Sequence, residues 1–295
     1  MFFPMKLVTY LFQGVEQVGV IAADPDKMVP IHALGFAAGD MNAFIDELGG
    51  SIPADLAARA DAADGVPLAA CSLLAPIPRP RQDVVCLGVN YYEHRDETLA
   101  SNIKYDGALN APIYFSKRVN EAVAPGGEIQ SHADFVTKLD YEVELAVILG
   151  RDAKDVAEDQ AEQYILGYTI LNDVSARDLQ AAHQQWYFGK SLDGFTPMGP
   201  WIVTRDAFAW PPKVDIRSYV NGQLRQSNNT ALMMTGIGAA ISQLSRGVTL
   251  KAGTIIATGT PSGVGMAMDP PQFMVPGDVV RCEIDGIGAL ENTVK

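Results

Sequence analysis

The sequence predicts an α+β, β-rich fold with a small N-terminal part and a larger remainder. Short apolar stretches bounded by turn residues recur through most of the chain, the pattern of strands. In the larger part only one clear helix separates neighbouring strands, which disfavours a doubly wound sheet. The proline-rich stretch Ala75-Pro76-Ile77-Pro78-Arg79-Pro80 is the best boundary in the chain, dividing it into domains over residues 1–75 and 76–295.

Residues 5–22 read as two short strands around Gly14, a hairpin. Residues 40–49 and 51–63 read as helices. After the boundary, Val84–Val89 has the apolar run of a buried strand, followed by Asn90 and a short helical segment. Residues 95–112 carry few signals and read as a mobile loop. Strands follow at Ile113–Ser116, Tyr141–Leu149 and Ile165–Leu171, then a helix over Ser175–Gln185. Further strands fit Trp201–Thr204, Asp215–Val220, Thr254–Thr258 and Val279–Ile284, with turns at Asn221-Gly222 and Asp285-Gly286. A helix covers Ile237–Ser245.

A chain of 295 residues, 48% hydrophobic and 19% charged, describes an ordered globular protein with a substantial core. The net charge of −13 repels nucleic acid and anionic membranes, so neither is an expected partner. Cys71, Cys86 and Cys282 follow no metal-ligand spacing, and their odd number fits a reducing compartment. The apolar opening is broken by Pro4 and Lys6, and no run approaches the roughly 18 apolar residues of a membrane span. A soluble, cytoplasmic protein is expected.

The chemistry begins at Asp140-Tyr141-Glu142-Val143-Glu144-Leu145-Ala146-Val147. On a strand Tyr141, Val143, Leu145 and Val147 face one side, while Glu142 and Glu144 share the other. Two carboxylates that converge to about 4 Å repel by around 4 kcal/mol at an effective dielectric of 20, so something positive belongs between them. Asp173 sits at a strand-to-helix corner, before a helix that Ser175 is expected to cap. Three carboxylates would form an all-oxygen site suited to Mg²⁺ or Mn²⁺, with Ca²⁺ less suited. A solvated strand face with two surface glutamates shows the same alternation, and spacing alone does not bring Asp173 beside them.

His94 and Glu97 stand at i and i+3, on one face of a short helix, where a carboxylate can fix an imidazole's tautomer and raise its basicity. Beside Arg95 and Asp96 they read equally as a surface pair. Gly189-Lys190-Ser191 is not a phosphate-binding loop, because position 184 is Gln where that loop needs Gly. Gly259-Thr260-Pro261-Ser262-Gly263 lacks the spacing of a nucleophile elbow. Gly236-Ile237-Gly238 lacks the third glycine of a dinucleotide fingerprint. His32 and His132 read as structural or surface residues.

Several stretches, in order and at fitting spacing, resemble the fumarylacetoacetate hydrolase family. They are Gly88-Val89-Asn90-Tyr91-Tyr92-Glu93-His94 with Glu97, then residues 140–151, 167–180, 189–200 and 258–265, and the ending Pro276-Gly277-Asp278 with Ile287–Asn292. The resemblance covers about residues 76–295, and the N-terminal part looks like the small domain that often precedes it. It implies a mixed β-sandwich roll, a homodimer, and a metal held by Glu142, Glu144 and Asp173. It implies a His94–Glu97 pair in catalysis and Lys190 as a cation beside the metal, stabilising an enolate or oxyanion. Gln180 and Thr260 match positions that contact substrate or the oxyanion, and as buried polar groups they read equally as structural. Lys117 is read as a ligand of a substrate carboxylate, with an exposed strand-end lysine as the plain alternative. A place at the rim of the site is open to His183. Arg95, Arg118-Val119-Asn120 and Gly194 depart from the family pattern on the substrate side and not at the metal ligands.

The substrates implied are small anionic 2-oxo or β-diketo acids. The preferred reading is a hydrolase that cleaves the C–C bond of an acylpyruvate, with a His94–Glu97-activated water attacking the distal carbonyl and Lys190 holding the leaving enolate. An oxaloacetate decarboxylase needs the same enolate stabilisation and is the alternative. An isomerase of hydroxymuconate-type diacids is third. A catalytically inactive small-molecule-binding protein would keep the fold, and the retained acids with His94, Glu97 and Lys190 argue against it.

Overall fold

The computed structural model describes residues 5–100, 111–183 and 185–295. The strands Lys6–Phe12 and Val15–Ile21 form an antiparallel hairpin whose loop residues Gln13 and Gly14 have φ of 52° and 79°. Positive φ at both loop residues is what a two-residue hairpin turn demands. The other edge of Lys6–Phe12 pairs with Met198–Thr204, in register Lys6↔Val203 and Leu7↔Ile202. From there the sheet continues through Ile165–Asn172, Val143–Leu149, Ile255–Ala257, Val84–Gly88 and Ile113–Lys117. Most pairings are antiparallel, but Ile255–Ala257 runs parallel to Val84–Gly88, so the sheet is mixed. One 11-stranded sheet thus includes strands from both sides of the proline-rich stretch.

A second, five-stranded sheet runs Gln223–Asn229, Asp215–Val220, Val279–Ile284, Gly288–Val294 and Glu128–Ile129. It packs on one face of the large sheet. The helices Met41–Leu48 and Leu56–Ala62 cover the other. Asp40 caps the first of these by accepting from Ala43 N at 2.8 Å, and Gly49 ends it at φ 61°. Its buried residues Met41, Phe44, Ile45 and Leu48 recur at helical spacing and meet the sheet. The result is the β-rich α+β architecture expected, with two packed sheets and few helices.

Val143–Leu149 is buried throughout, and its alternation sorts side chains between the two cores. Val143, Leu145, Val147 and Leu149 pack toward the small sheet with Ile216, Val280 and Ile284. Ala146 and Ile148 pack toward the N-terminal helices with Phe44 and Ile45. Glu142 and Glu144 have the parity of this second set, so at one end of the strand the apolar layer gives way to carboxylates.

Local differences from the sequence reading have local causes. The ladder starts at Val143 and not Tyr141, because Leu139–Asp140 pairs separately with Ser175–Ala176. Ser175 therefore lies on a strand and caps nothing; its hydroxyl donates to Asp173 O, and the helix is Arg177–Ala182. That helix ends at His183, whose extended backbone turns the chain into a further short helix, Tyr187–Lys190. Residues 95–100, read as loop, belong to the helix Tyr92–Ala100, while 101–110 of the same reading lie outside the described residues. Gln223–Asn229 is a strand without apolar alternation, held by the Asn221-Gly222 turn.

Candidate metal centre and its cavity

Three carboxylates meet where strands end. Glu142 precedes Val143–Leu149, Glu144 lies on it, and Asp173 follows Ile165–Asn172 on the neighbouring strand. The backbone holds the corner, with Asp173 N donating to Glu142 O at 2.8 Å and Glu142 N to Asn172 Oδ1 at 3.0 Å. Oxygens of Glu142, Glu144 and Asp173 all lie within 4.8 Å of one another, and all three residues are buried.

Cations are built in around them. Lys190 donates to Glu142 Oε2 and to Asp173 Oδ2, both at 2.7 Å. Arg177 Nη2 lies 2.7 Å from Glu142 Oε1, and its Nε donates to Asp140 Oδ2 at 2.9 Å. Lys117 donates to Asp173 Oδ1 and, at 3.2 Å, to Val174 O. Glu144 differs: among the described residues no cation is in contact with it, and Gly259 N donates to it at 2.7 Å.

This asymmetry sets the acidities. Burial works against an ionised Glu142, but Lys190 and Arg177 outweigh it and hold the carboxyl down at about 2. Burial, with the charges of Asp173 and Glu142 added, pushes Glu144 well above the ordinary carboxylate range. For Lys190 burial favours the neutral amine, and Asp173 and Glu142 overcome it and raise the ammonium's pKa. A buried carboxylate without a cation is a costly arrangement unless a positive group completes it. Three hard oxygen donors at this separation fit a divalent cation such as Mg²⁺ or Mn²⁺.

The cluster opens into a cavity of about 390 Å³. Glu142, Glu144 and Lys190 form its polar end; Phe115, Trp186 and Phe273 are part of its apolar wall. His94 also lines it, with Nδ1 2.9 Å from Glu97 Oε2. The second oxygen of Glu97 accepts from Gly263 N at 2.9 Å, which ties the His94 helix to the 258–265 stretch. Trp186 lies directly over Gly88, where a Cβ would come within 2.1 Å of the ring.

Gln180 and Thr260 line the same cavity. Gln180 accepts from Arg177 Nη1 at 3.0 Å. Thr260 donates to Val143 O at 2.9 Å and accepts from Gln226 Nε2 at 2.7 Å, so its hydroxyl also fastens the loop to the strand. Lys117 is fully enclosed behind Asp173 and is not part of the cavity wall. His183 packs edge-on against Phe188 and is not among the residues that line the cavity. Sequence reasoning did not single out Arg177 or Asp140. Their only signal was a charged residue in each of the two stretches that carry the acids. Asp140 is fully buried and accepts from Gly265 N at 2.8 Å and Met266 N at 3.0 Å as well as from Arg177.

Two packed β-sheets with a buried triad of carboxylates at the head of a cavity define a candidate carboxylate-ligated metal centre. The chain belongs to the fumarylacetoacetate hydrolase family: residues 83–295 match the family described as Fumarylacetoacetate (FAA) hydrolase C-terminal. It is 41% identical over 227 residues to the oxaloacetate tautomerase YisK of Bacillus subtilis, covering 77% of this chain and 74% of that one. It is 41% identical over 225 residues to the mitochondrial oxaloacetate tautomerase fahd2 of Xenopus laevis, covering 76% and 68%. The structure superposes on a fumarylacetoacetate hydrolase from Exiguobacterium antarcticum with TM-score 0.84 and 39% identity, covering 99% of each chain. A maleylpyruvate hydrolase from Sphingobium sp. SYK-6, solved with manganese(II) and pyruvate, superposes with TM-score 0.75 and 29% identity over 98% of each chain. Among the described residues no helix is long and apolar enough to cross a membrane.

Proposed function

We propose that this protein is a divalent-metal-dependent enzyme that moves small 2-oxo acids through their enolates, and that its reaction is keto–enol tautomerisation of oxaloacetate. The observation that carries the class is Lys190 spanning Glu142 and Asp173 at the head of a cavity that also presents His94. The choice of oxaloacetate rests on the two tautomerases at 41% identity. Glu142, Glu144 and Asp173 would hold Mg²⁺ or Mn²⁺, which when bound supplies Lewis acidity at the 2-oxo group.

The residues of the chain divide the remaining work. Glu97 orients the His94 ring through Nδ1, and His94 Nε2 exchanges the proton at C3 of the substrate. Lys190, kept an ammonium by its carboxylates, stabilises the negative charge that develops on the oxygen at C2. Gln180 and Thr260 face the cavity and position the substrate. Lys117, enclosed against Asp173, acts in this scheme on the ligand and not on the substrate.

A second reading is hydrolysis of the C–C bond of an acylpyruvate, in which the same His94–Glu97 pair activates a water. The maleylpyruvate hydrolase with a similar fold favours it. Decarboxylation of oxaloacetate uses the same enolate without that water. The test is to add protein with Mg²⁺ or Mn²⁺ to oxaloacetate, acetylpyruvate and fumarylpyruvate, following enol absorbance, pyruvate and CO₂. Faster enol–keto equilibration without CO₂ is expected. Pyruvate and acetate from acetylpyruvate would establish the hydrolase instead, and CO₂ release from oxaloacetate the decarboxylase.

A further inference from the structure

We propose that Lys138 is the specificity-determining residue that recognises the second carboxylate of a dicarboxylic 2-oxo acid. The inference rests on the proposed 2-oxo acid reading and adds to it the residue that recognises the second carboxylate.

The buried charges at the closed end of the cavity leave no cation to spare for a second substrate carboxylate. Four carboxylates (Asp140, Glu142, Glu144, Asp173) and three cations (Lys117, Arg177, Lys190) are buried there. A divalent ion held by the triad leaves one net positive charge, which the single carboxylate of a 2-oxo acid neutralises. A second carboxylate needs a further cation, because an unpaired charge held in a partly enclosed site is penalised. Arg177 and Lys190 are committed to Asp140, Glu142 and Asp173.

Lys138 supplies that cation. It lines the same cavity, and it is exposed where Arg177 and Lys190 are buried. Among the described residues its side chain has no ion-pair partner, whereas the other two cations of the wall do. Its backbone is clamped on both sides. Arg177 N donates to Lys138 O at 2.9 Å. The preceding residue, Thr137, donates through both N and Oγ1 to Asp178 Oδ2, at 2.6 and 2.8 Å. The flexible lysine stem therefore starts from a point fixed to the helix that carries Arg177 and Gln180. A carboxylate one or two carbons beyond the 2-oxo group would meet this ammonium in a charge-assisted hydrogen bond.

The test compares oxaloacetate with 2-oxobutyrate, which has a methyl group in place of the second carboxylate. Both are titrated calorimetrically into the Mg²⁺-loaded full chain. The unsubstituted protein is expected to bind oxaloacetate about tenfold more tightly. Lys138→Gln should abolish that preference while leaving 2-oxobutyrate affinity within about twofold, and Lys138→Arg should keep most of it. A preference that survives Lys138→Gln, or an equal loss for both acids, overturns the assignment. Absence of turnover together with a preference that depends on Lys138 would overturn only the proposed reaction. Turnover with no dependence on Lys138 would overturn only this inference.

Discussion

The carboxylate triad and the His94–Glu97 pair lie against one cavity but are held in place differently. Glu142, Glu144 and Asp173 sit at the ends of central strands, enclosed, with Lys117, Lys190 and Arg177 fixing two of the three. His94 and Glu97 sit on the helix Tyr92–Ala100, and the contact between Glu97 and Gly263 N is a main tie to the rest of the site. Buried ion pairs fix position in the first region, whereas in the second Glu97 accepts from Gly263 N and the neighbouring Glu93 from Asn228 and Ser262. Substitutions at Glu142 or Asp173, which the cations hold, should therefore disturb folding and chemistry together, whereas substitutions at Glu144 or at the pair should disturb chemistry alone.

Asp173→Ala is expected to have the largest effect. It leaves Lys117 and Lys190 buried without one of their carboxylates, a change that costs about 3–5 kcal/mol, and it removes a metal ligand. Urea unfolding and Mn²⁺ titration should both show the loss; unchanged stability would break the contrast between the regions. Glu144→Gln should abolish Mn²⁺ binding and activity while keeping or raising the stability of the metal-free protein, because it replaces the one acid without a contacting cation. His94→Gln should lower kcat by about 10²–10⁴ and leave the urea midpoint unchanged. A stability loss as large as that of Asp173→Ala would show that the helix is as tightly built in as the strands.

The smallest effect is in the pH dependence of the metal-free protein. Glu142, held at about 2, contributes stability that is present above the ordinary carboxylate range and is lost as pH falls towards 2. Glu144 has a raised value, so its share is full below that range and is lost as pH rises through the raised value. The urea midpoint of Glu144→Gln should therefore gain on that of the unsubstituted protein as pH rises in the presence of a chelator. Saturating Mn²⁺ should reverse the order, since only the unsubstituted protein binds it.

The parts of the site legible in the sequence were those encoded by short spacings. Alternation placed Glu142 and Glu144 on one side of a strand, and the i, i+3 spacing placed His94 beside Glu97. Asp173 needed the family pattern, because its approach to Glu142 depends on a backbone bond between two strands. The Arg177–Asp140 pair spans 37 residues, and no local rule couples charges so far apart. Lys117 ends the strand Ile113–Lys117, and only the packed structure shows that its side chain turns inward to Asp173. In the fold, Ile237–Ser245 and Asp215–Val220 were readable from apolar periodicity. Gln223–Asn229 was not, because its polar residues are held by pairing with Asp215–Val220 and carry no apolar pattern.

The hydrogen bonds between Lys6–Phe12 and Met198–Thr204 bear on how the chain can be cut. A fragment beginning at the proline-rich stretch would expose Met198–Thr204 as a raw, mostly apolar margin. It would also uncover the surface that Phe44 and Ile45 now shield. Such margins recruit other strands, so residues 76–295 expressed alone should form aggregates where the whole chain stays dispersed.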